Sequence, residues 1–255
     1  MIKNVIFDVG RVLAAYDYQS YLNRKNYSEE EQKIIKKAMF ESQTWLLADR
    51  GEVPEGKLLE LFVNNDPEHE ELIRDAYEHM EEVIWLFPYT MQWVKNLKEQ
   101  EYKIYVLSNY GEELLTRTKS KLEFLPYMDG VVFSYESHFL KPEADSYHYL
   151  CRKYNICPAD SVFLDDRPEN VEGARAYGIH GILFESYGQA DQKLKELTDG
   201  EWTVNAVWSI GNQWRIQYVP SIDQIPCVYS TIDYTADDTG IGSQLGIKWF
   251  VMSET

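Results

Sequence analysis

Four apolar runs in this chain end on side chains able to do chemistry. Asp8 follows Val5-Ile6-Phe7, and Ser108-Asn109 close "YKIYVLSN". Lys141 lies just beyond "GVVFS", in "FLKPE", and Asp165-Asp166 close "SVFLDD". One strand-terminal acid is commonplace, because it can cap the next helix. The joint placement of three acids, a lysine and a hydroxyl is a set suited to phosphoryl transfer. A carboxylate such as Asp8 can attack phosphorus and split one difficult hydrolysis into two easier steps. A phosphoryl dianion repels that carboxylate, so positive charge is required. Lys141 offers a compact ammonium. Asp8, Asp165 and Asp166 offer hard oxygens for Mg2+. Ser108 and backbone N–H groups are donors for phosphate oxygens.

These residues can meet only if the segments that carry them form one sheet. The runs near 3–9, 102–109, 130–134, 161–166 and 178–184 are short, apolar and bounded by polar residues. Amphipathic segments at 91–100, 111–123, 143–154, 168–177 and 189–197 separate them. That alternation predicts a doubly wound α/β fold with a parallel sheet, in which ligands bind at the carboxyl ends of the strands. Two stretches break it. Between the first strand and residue 86 there is no strand signal, and Ser28 with Glu31 forms an S-x-x-E helix start followed by Ile34, Ile35, Ala38 and Met39. Beyond about residue 200, four β-branched and aromatic runs are separated by turn signals such as Gly211-Asn212 and "ADDTGIGS". The expected organisation is a catalytic core of 1–15 and 86–199, a helical cap of 16–85, and a β-rich C-terminal extension of 200–255.

The chain has 255 residues, is 44% apolar and carries a formal net charge of −17. It is long enough for a substantial core. Its charge repels nucleic acid and anionic membranes, so neither is an expected partner. No apolar run approaches a membrane span, and "MIKNVIFDVG" has no signal-peptide pattern. Cys151, Cys157 and Cys227 are too few and too scattered for a disulfide framework or a zinc site, which fits a reduced, cytoplasmic setting.

The motifs "FDVGRV", "VLSN", "KPE" and "FLDDRPENVEGARAYGI", in this order, resemble the four motifs of the haloacid dehalogenase-like (HAD) superfamily. The resemblance covers about 1–199, and the helical insertion lies where the family's C1 cap lies. Within the superfamily it is similar to bacterial sugar-phosphate phosphatases of the α-D-glucose-1-phosphate phosphatase type. It implies a Rossmann-like core and a Mg2+-dependent phosphatase acting on a small phosphorylated metabolite, a sugar phosphate among the candidates, through an aspartyl-phosphate. By it, Asp8 is the nucleophile, assisted by Lys141. Ser108, Asn109 and Lys141 bind the substrate phosphate. Asp8, the Gly10 carbonyl and Asp166 hold Mg2+, with Asp165 beside them and Asn170 supporting the ligand shell.

Gly10 departs from the pattern, since most phosphatases of the superfamily carry an acid–base aspartate there. Asp17 is a candidate replacement, reaching in from the segment after strand one; its plainer reading is a hinge or cap residue. Arg11 is read as a turn-surface residue with phosphate contact as the alternative, and His138 as a solvated loop residue with an acid–base role as the alternative. Trp45, Leu46 and Tyr77 are expected in the insertion's own core, with a substrate-facing position as the alternative. In the C-terminal segment Trp202, Trp208, Trp214, Tyr218, Tyr229, Trp249 and Phe250 are read as covering a small sheet or joining subunits into a homo-oligomer, with a sugar-binding platform as the alternative. Two other functions compete: a binding or regulatory protein on a degenerate core, motivated by Gly10, and a dehalogenase whose Asp8 attacks carbon. Carbon displacement needs no metal, and the Asp165-Asp166 pair argues against it.

Overall fold

Val5, Ile6 and Phe7 expose no surface at all, because the strand they form, β1 (Asn4–Phe7), is covered on both faces. The computed structural model describes residues 2–199 and the strand residues 203–210, 213–219, 230–233 and 246–249. The chain divides into two units, Met1–Leu194 and Lys195–Thr255.

In the first unit β1 leads into a short β2 (Ala14–Tyr16). Five helices follow: α1 (Tyr18–Arg24), α2 (Glu29–Ile35), α3 (Gln43–Asp49), α4 (Leu58–Asn65) and α5 (Glu70–Glu78). The chain returns through β3 (Ile84–Leu86) and continues as α6 (Thr90–Glu99), β4 (Lys103–Ser108), α7 (Glu112–Thr118), β5 (Gly130–Phe133), α8 (Ser134–Ser137), α9 (Ala144–Tyr154), β6 (Ser161–Asp165), α10 (Pro168–Tyr177), β7 (His180–Leu183) and α11 (Tyr187–Asp199). The five long-range strands form one parallel sheet in the order β5-β4-β1-β6-β7. The chain builds outward from β1 on one side and then on the other. The strand order therefore reverses between β1 and β6, and a crevice opens at their carboxyl ends.

Alternation along β1 assigns its two faces. Ile6 packs with Tyr105, Leu107 and Phe163 beneath Tyr147 and Leu150 of α9 and Ala174 of α10. Phe7 points the other way and meets the edge of Trp93 on α6, with ring centroids 4.8 Å apart. Burying these side chains contributes roughly 1.5–3 kcal/mol each.

The insertion, expected from the sequence to be helical throughout, has short strands at its two ends. Its two ends pair antiparallel, Ala14 with Leu86 and Tyr16 with Ile84. Strands of three residues are too short to show an alternating pattern, and their partners are far apart in sequence. The S-x-x-E helix start forms a full capping box: Ser28 Oγ accepts the Glu31 N–H at 3.3 Å, and the Glu31 carboxylate accepts the Ser28 N–H at 2.7 Å. After α2 the chain widens into a π-helical turn, Lys36–Phe40, that buries Met39 and Phe40.

In the second unit β8 (Thr203–Ile210) pairs antiparallel with β9 (Gln213–Val219), and β10 (Ser230–Asp233) with β11 (Gly246–Trp249). Trp202, Tyr229, Phe250, the Gly211-Asn212 turn and the "ADDTGIGS" loop lie outside the described residues. Among the described residues no helix is long and apolar enough to cross a membrane.

Candidate active site

The strand ends bring the chemical set together. Asp8 directly follows β1, and its N–H donates to the Leu164 carbonyl of β6 at 2.9 Å. The Lys141 ammonium sits 2.8 Å from Asp8 Oδ1 and 2.6 Å from Asp165 Oδ2. All three side chains are buried, Asp165 and Lys141 almost completely. Two carboxylates sharing one ammonium leave a net negative charge in low dielectric. Only close hydrogen bonding makes such a cluster tolerable.

Each member is held from a different element. Asn109, just beyond β4, donates through Nδ2 to the Lys141 carbonyl at 3.1 Å and accepts the Lys141 N–H through Oδ1 at 2.8 Å. It lines the cavity while fixing the turn that carries the ammonium. Asp165 accepts the Arg167 N–H at 2.9 Å and the Asn170 Nδ2 at 3.0 and 3.1 Å, so both of its oxygens have partners. Asn170 lies on the first turn of α10, and its Oδ1 is buried with no hydrogen-bond partner.

Electrostatics follow from this packing. Burial pushes the Asp8 carboxyl up to about 6. The Lys141 ammonium and the Ser108 hydroxyl draw it down, while Asp165 pushes it up. Burial likewise raises Asp166, and Asp165 adds to the effect. Burial opposes the Lys141 charge, but Asp165 and Asp8 together outweigh it and hold its pKa above the ordinary lysine range.

Asp8, Asp165 and Asp166 offer carboxylate oxygens within 4.8 Å of one another. Together with the unpartnered Asn170 oxygen and the backbone at Gly10, this is an all-oxygen set. It suits a hard divalent cation such as Mg2+ and offers nothing to a softer ion. Burial first, and the neighbouring Asp165 charge second, raise Asp8 and Asp166, and a bound cation would offset both. The residues fit the group.

Most of these residues line a cavity of about 380 Å3 in the first unit. Asp8, Gly10, Ser108, Asn109, Lys141, Asp166 and Asn170 all line it. Its other wall comes largely from the insertion and is aromatic: Tyr16, Tyr18, Phe40 and Trp45, with Leu46. Trp45 and Leu46 thus face the cavity and are not confined to the insertion's core. Trp45 also stacks on the buried Phe62, and Leu46 is 48% exposed. Tyr77 is buried, with the Arg117 guanidinium 4.3 Å above its ring.

Arg11 is exposed at the cavity wall, 3.7 Å from Asp166. His138 is exposed, holds the Arg50 carbonyl through Nδ1 at 2.8 Å and does not line the cavity. Asp17 does not line it either. It is the N-cap of α1, accepting the Ser20 N–H at 2.8 Å, and the Ser20 hydroxyl helps hold its carboxyl below the ordinary range against a burial effect that raises it. It is the wrong residue to replace an acid at position 10. The cavity contains another carboxylate that the sequence did not mark: Asp49, the last residue of α3. Its local sequence, "TWLLADRG", carries no chemical signature.

Comparison with known proteins agrees with this geometry. A family model describing a haloacid dehalogenase-like hydrolase matches residues 2–178. Flavin mononucleotide hydrolase 1 of Arabidopsis thaliana is 24% identical over 160 residues, covering 61% of this chain and 61% of that protein. Enolase-phosphatase E1 of Drosophila willistoni is 28% identical over 97 residues, covering 38% of this chain and 36% of that protein. The chain therefore spans less than two thirds of either relative. Among solved structures, a HAD family enzyme of Bacteroides thetaiotaomicron in complex with magnesium and inorganic phosphate has a TM-score of 0.60 at 20% identity, covering 73% of this chain and 98% of that one.

Proposed function

We infer the reaction from a premise the comparisons establish, that the chain belongs to the haloacid dehalogenase-like hydrolases, and propose that it is a Mg2+-dependent phosphatase of a small phosphorylated metabolite. The observation that carries the reading is the buried Asp8–Lys141–Asp165 cluster at the strand ends, beside Asp166 and the unpartnered Asn170 oxygen. The names of the two relatives, a flavin mononucleotide hydrolase and an enolase-phosphatase, support it, as does the magnesium and phosphate complex of the Bacteroides enzyme.

Asp8 attacks phosphorus and carries the phosphoryl group as an aspartyl-phosphate until water removes it. Asp8, Asp166 and the Gly10 carbonyl would hold Mg2+, which would supply positive charge to offset that of the nucleophile and the phosphoryl group. Lys141 stabilises the negative charge on the transferring oxygens, and Ser108 donates to them. Asp165 and Asn170 keep Lys141 and the ligand shell in place. The organic part of the substrate lies against the aromatic wall, which suits a ring with at least one apolar face. The cluster is a nucleophile, a cation and a ligand set in one place, which a purely regulatory core has no need to retain.

Hydrolysis of p-nitrophenyl phosphate tests the reading. Mg2+ is expected to support turnover, chelation to abolish it, and Asp8→Asn to remove it in a folded protein. Full activity after exhaustive chelation, or in Asp8→Asn, refutes it. A panel of sugar and flavin phosphates then tests the leaving group.

A further inference from the structure

The phosphatase reading leaves one atom unattended. The leaving oxygen needs a proton, and position 10 has no side chain to supply it. Asp49 enters the same cavity from the insertion. Its backbone carbonyl accepts the Ser134 hydroxyl, and Ser134 Oγ in turn accepts the Tyr110 N–H at 2.9 Å. The next residue, Arg50, grips Glu143 with two bonds of 3.1 and 2.6 Å and donates to the His138 carbonyl at 3.1 Å. Gly51 follows at φ +70°, and a Cβ there would lie 2.2 Å from the Tyr135 carbonyl oxygen. On the other side Gly111 lets α3 approach, since its Cβ would stand 3.3 Å from the Ala48 backbone. The end of α3 is thus seated on α8, which follows β5, and on the segment that follows β4. One turn supplies both Lys141, which holds Asp8, and Glu143, which holds Arg50. The nucleophile and Asp49 are referenced to the same piece of backbone.

We propose that Asp49 is the general acid and base of the reaction, the catalytic carboxyl that position 10 lacks. This rests on the phosphatase reading above. As Asp8 forms its bond to phosphorus and the bond from phosphorus to the leaving oxygen breaks, Asp49 gives its proton to that oxygen. Water then attacks phosphorus and gives a proton to the Asp49 carboxylate. The Asp8 oxygen–phosphorus bond breaks, and phosphate leaves with Asp8 a carboxylate again and Asp49 protonated again. The surroundings favour a protonated resting state. Burial pushes Asp49 up to about 7 and the Asp8 charge adds to this, while the Gly111 N–H and the Lys141 ammonium draw it down. The nearby phenols of Tyr16 and Tyr110 are themselves held neutral by burial, and an ionised Asp49 reinforces this.

The test compares wild type, Asp49→Asn and Asp49→Glu, with Mg2+, on p-nitrophenyl phosphate and on an alkyl phosphate that the wild type turns over. Asp49→Asn is expected to lose roughly 10²-fold or more on the alkyl ester. On p-nitrophenyl phosphate it should give a burst of about one p-nitrophenolate per enzyme and then slow, because that leaving group needs no proton but the attacking water still needs a base. Asp49→Glu should recover part of the alkyl activity. Equal losses on both esters without a burst, or unchanged activity on both, overturn the assignment and leave the phosphatase reading standing. A folded wild type inactive on every ester with Mg2+ overturns the phosphatase reading itself. If Asp49→Asn does not fold, the wild type decides. A shallow dependence on leaving-group pKa, with alkyl turnover falling above about pH 7, supports Asp49; a steep dependence overturns it.

Discussion

Lys141→Met would remove the ammonium while keeping an unbranched apolar stem in its place. In the wild type the ammonium lies 2.8 Å from Asp8 and 2.6 Å from Asp165, and these side chains are 11% and 0% exposed. Removing one partner of a buried ion pair costs about 3–5 kcal/mol, because the remaining charge is left uncompensated. The pH dependence separates this effect from lost packing. Even with Lys141 present, burial lifts Asp8 from the ordinary 3.8 to about 6. At ~1.4 kcal/mol per pKa unit that already costs roughly 3 kcal/mol once the carboxyl is ionised. The folded state holds a proton that the unfolded state releases, so this contribution to stability falls as pH rises from about 4 to 6. In Lys141→Met the folded pKa climbs further, and the loss continues above pH 6. Urea unfolding followed by circular dichroism, with chelator present, should show a deficit of about 3–5 kcal/mol at pH 8 and one smaller by at least about 2 kcal/mol at pH 5. Equal deficits at the two pH values, or a deficit below about 1 kcal/mol at pH 8, would refute the claim that the ammonium holds two buried charges together.

Gly10→Asp should fold with a thermal midpoint within a few degrees of wild type. Gly10 has no positive φ, and a Cβ there meets only Tyr16 Cβ, at an ordinary 3.6 Å; a large fall in midpoint would contradict this. In an Asp49→Asn background the same change should restore part of the alkyl phosphate turnover, as measured by phosphate release. Arg50→Ala should leave stability within about 1 kcal/mol, since the Arg50–Glu143 pair is partly exposed. It should lower kcat on alkyl phosphates by up to roughly 10²-fold through misplacement of Asp49. An unchanged kcat with a stability loss beyond 2 kcal/mol would make the pair a structural clamp only.

The five parallel strands were legible because burial on both faces writes a strand as an unbroken apolar run, as in Val5-Ile6-Phe7 and Val162-Phe163-Leu164. The residues at their ends were legible for a related reason: a parallel sheet lines up its carboxyl ends, so Asp8, Ser108 and Asp165 had to be neighbours once the strands were recognised. Ser28 announced its helix through a contact only three residues long. What escaped the sequence depends on contacts between distant segments. The neck strands Ala14–Tyr16 and Ile84–Leu86 are defined by their pairing, not by a pattern of their own. Asp17, placed near Asp8 by sequence, is turned to cap α1, whereas Asp49 has no local signature and reaches the cavity because Arg50 is clamped by Glu143 and Gly51 lies against Tyr135. Trp45 presents the same ambiguity, resting on the insertion's core through Phe62 while facing the cavity. Local patterning determines which segments become strands and helices, because those choices follow from neighbours a few residues away. Which side chains share a cavity is decided by the docking of elements far apart in the chain, and that depends on the whole packing.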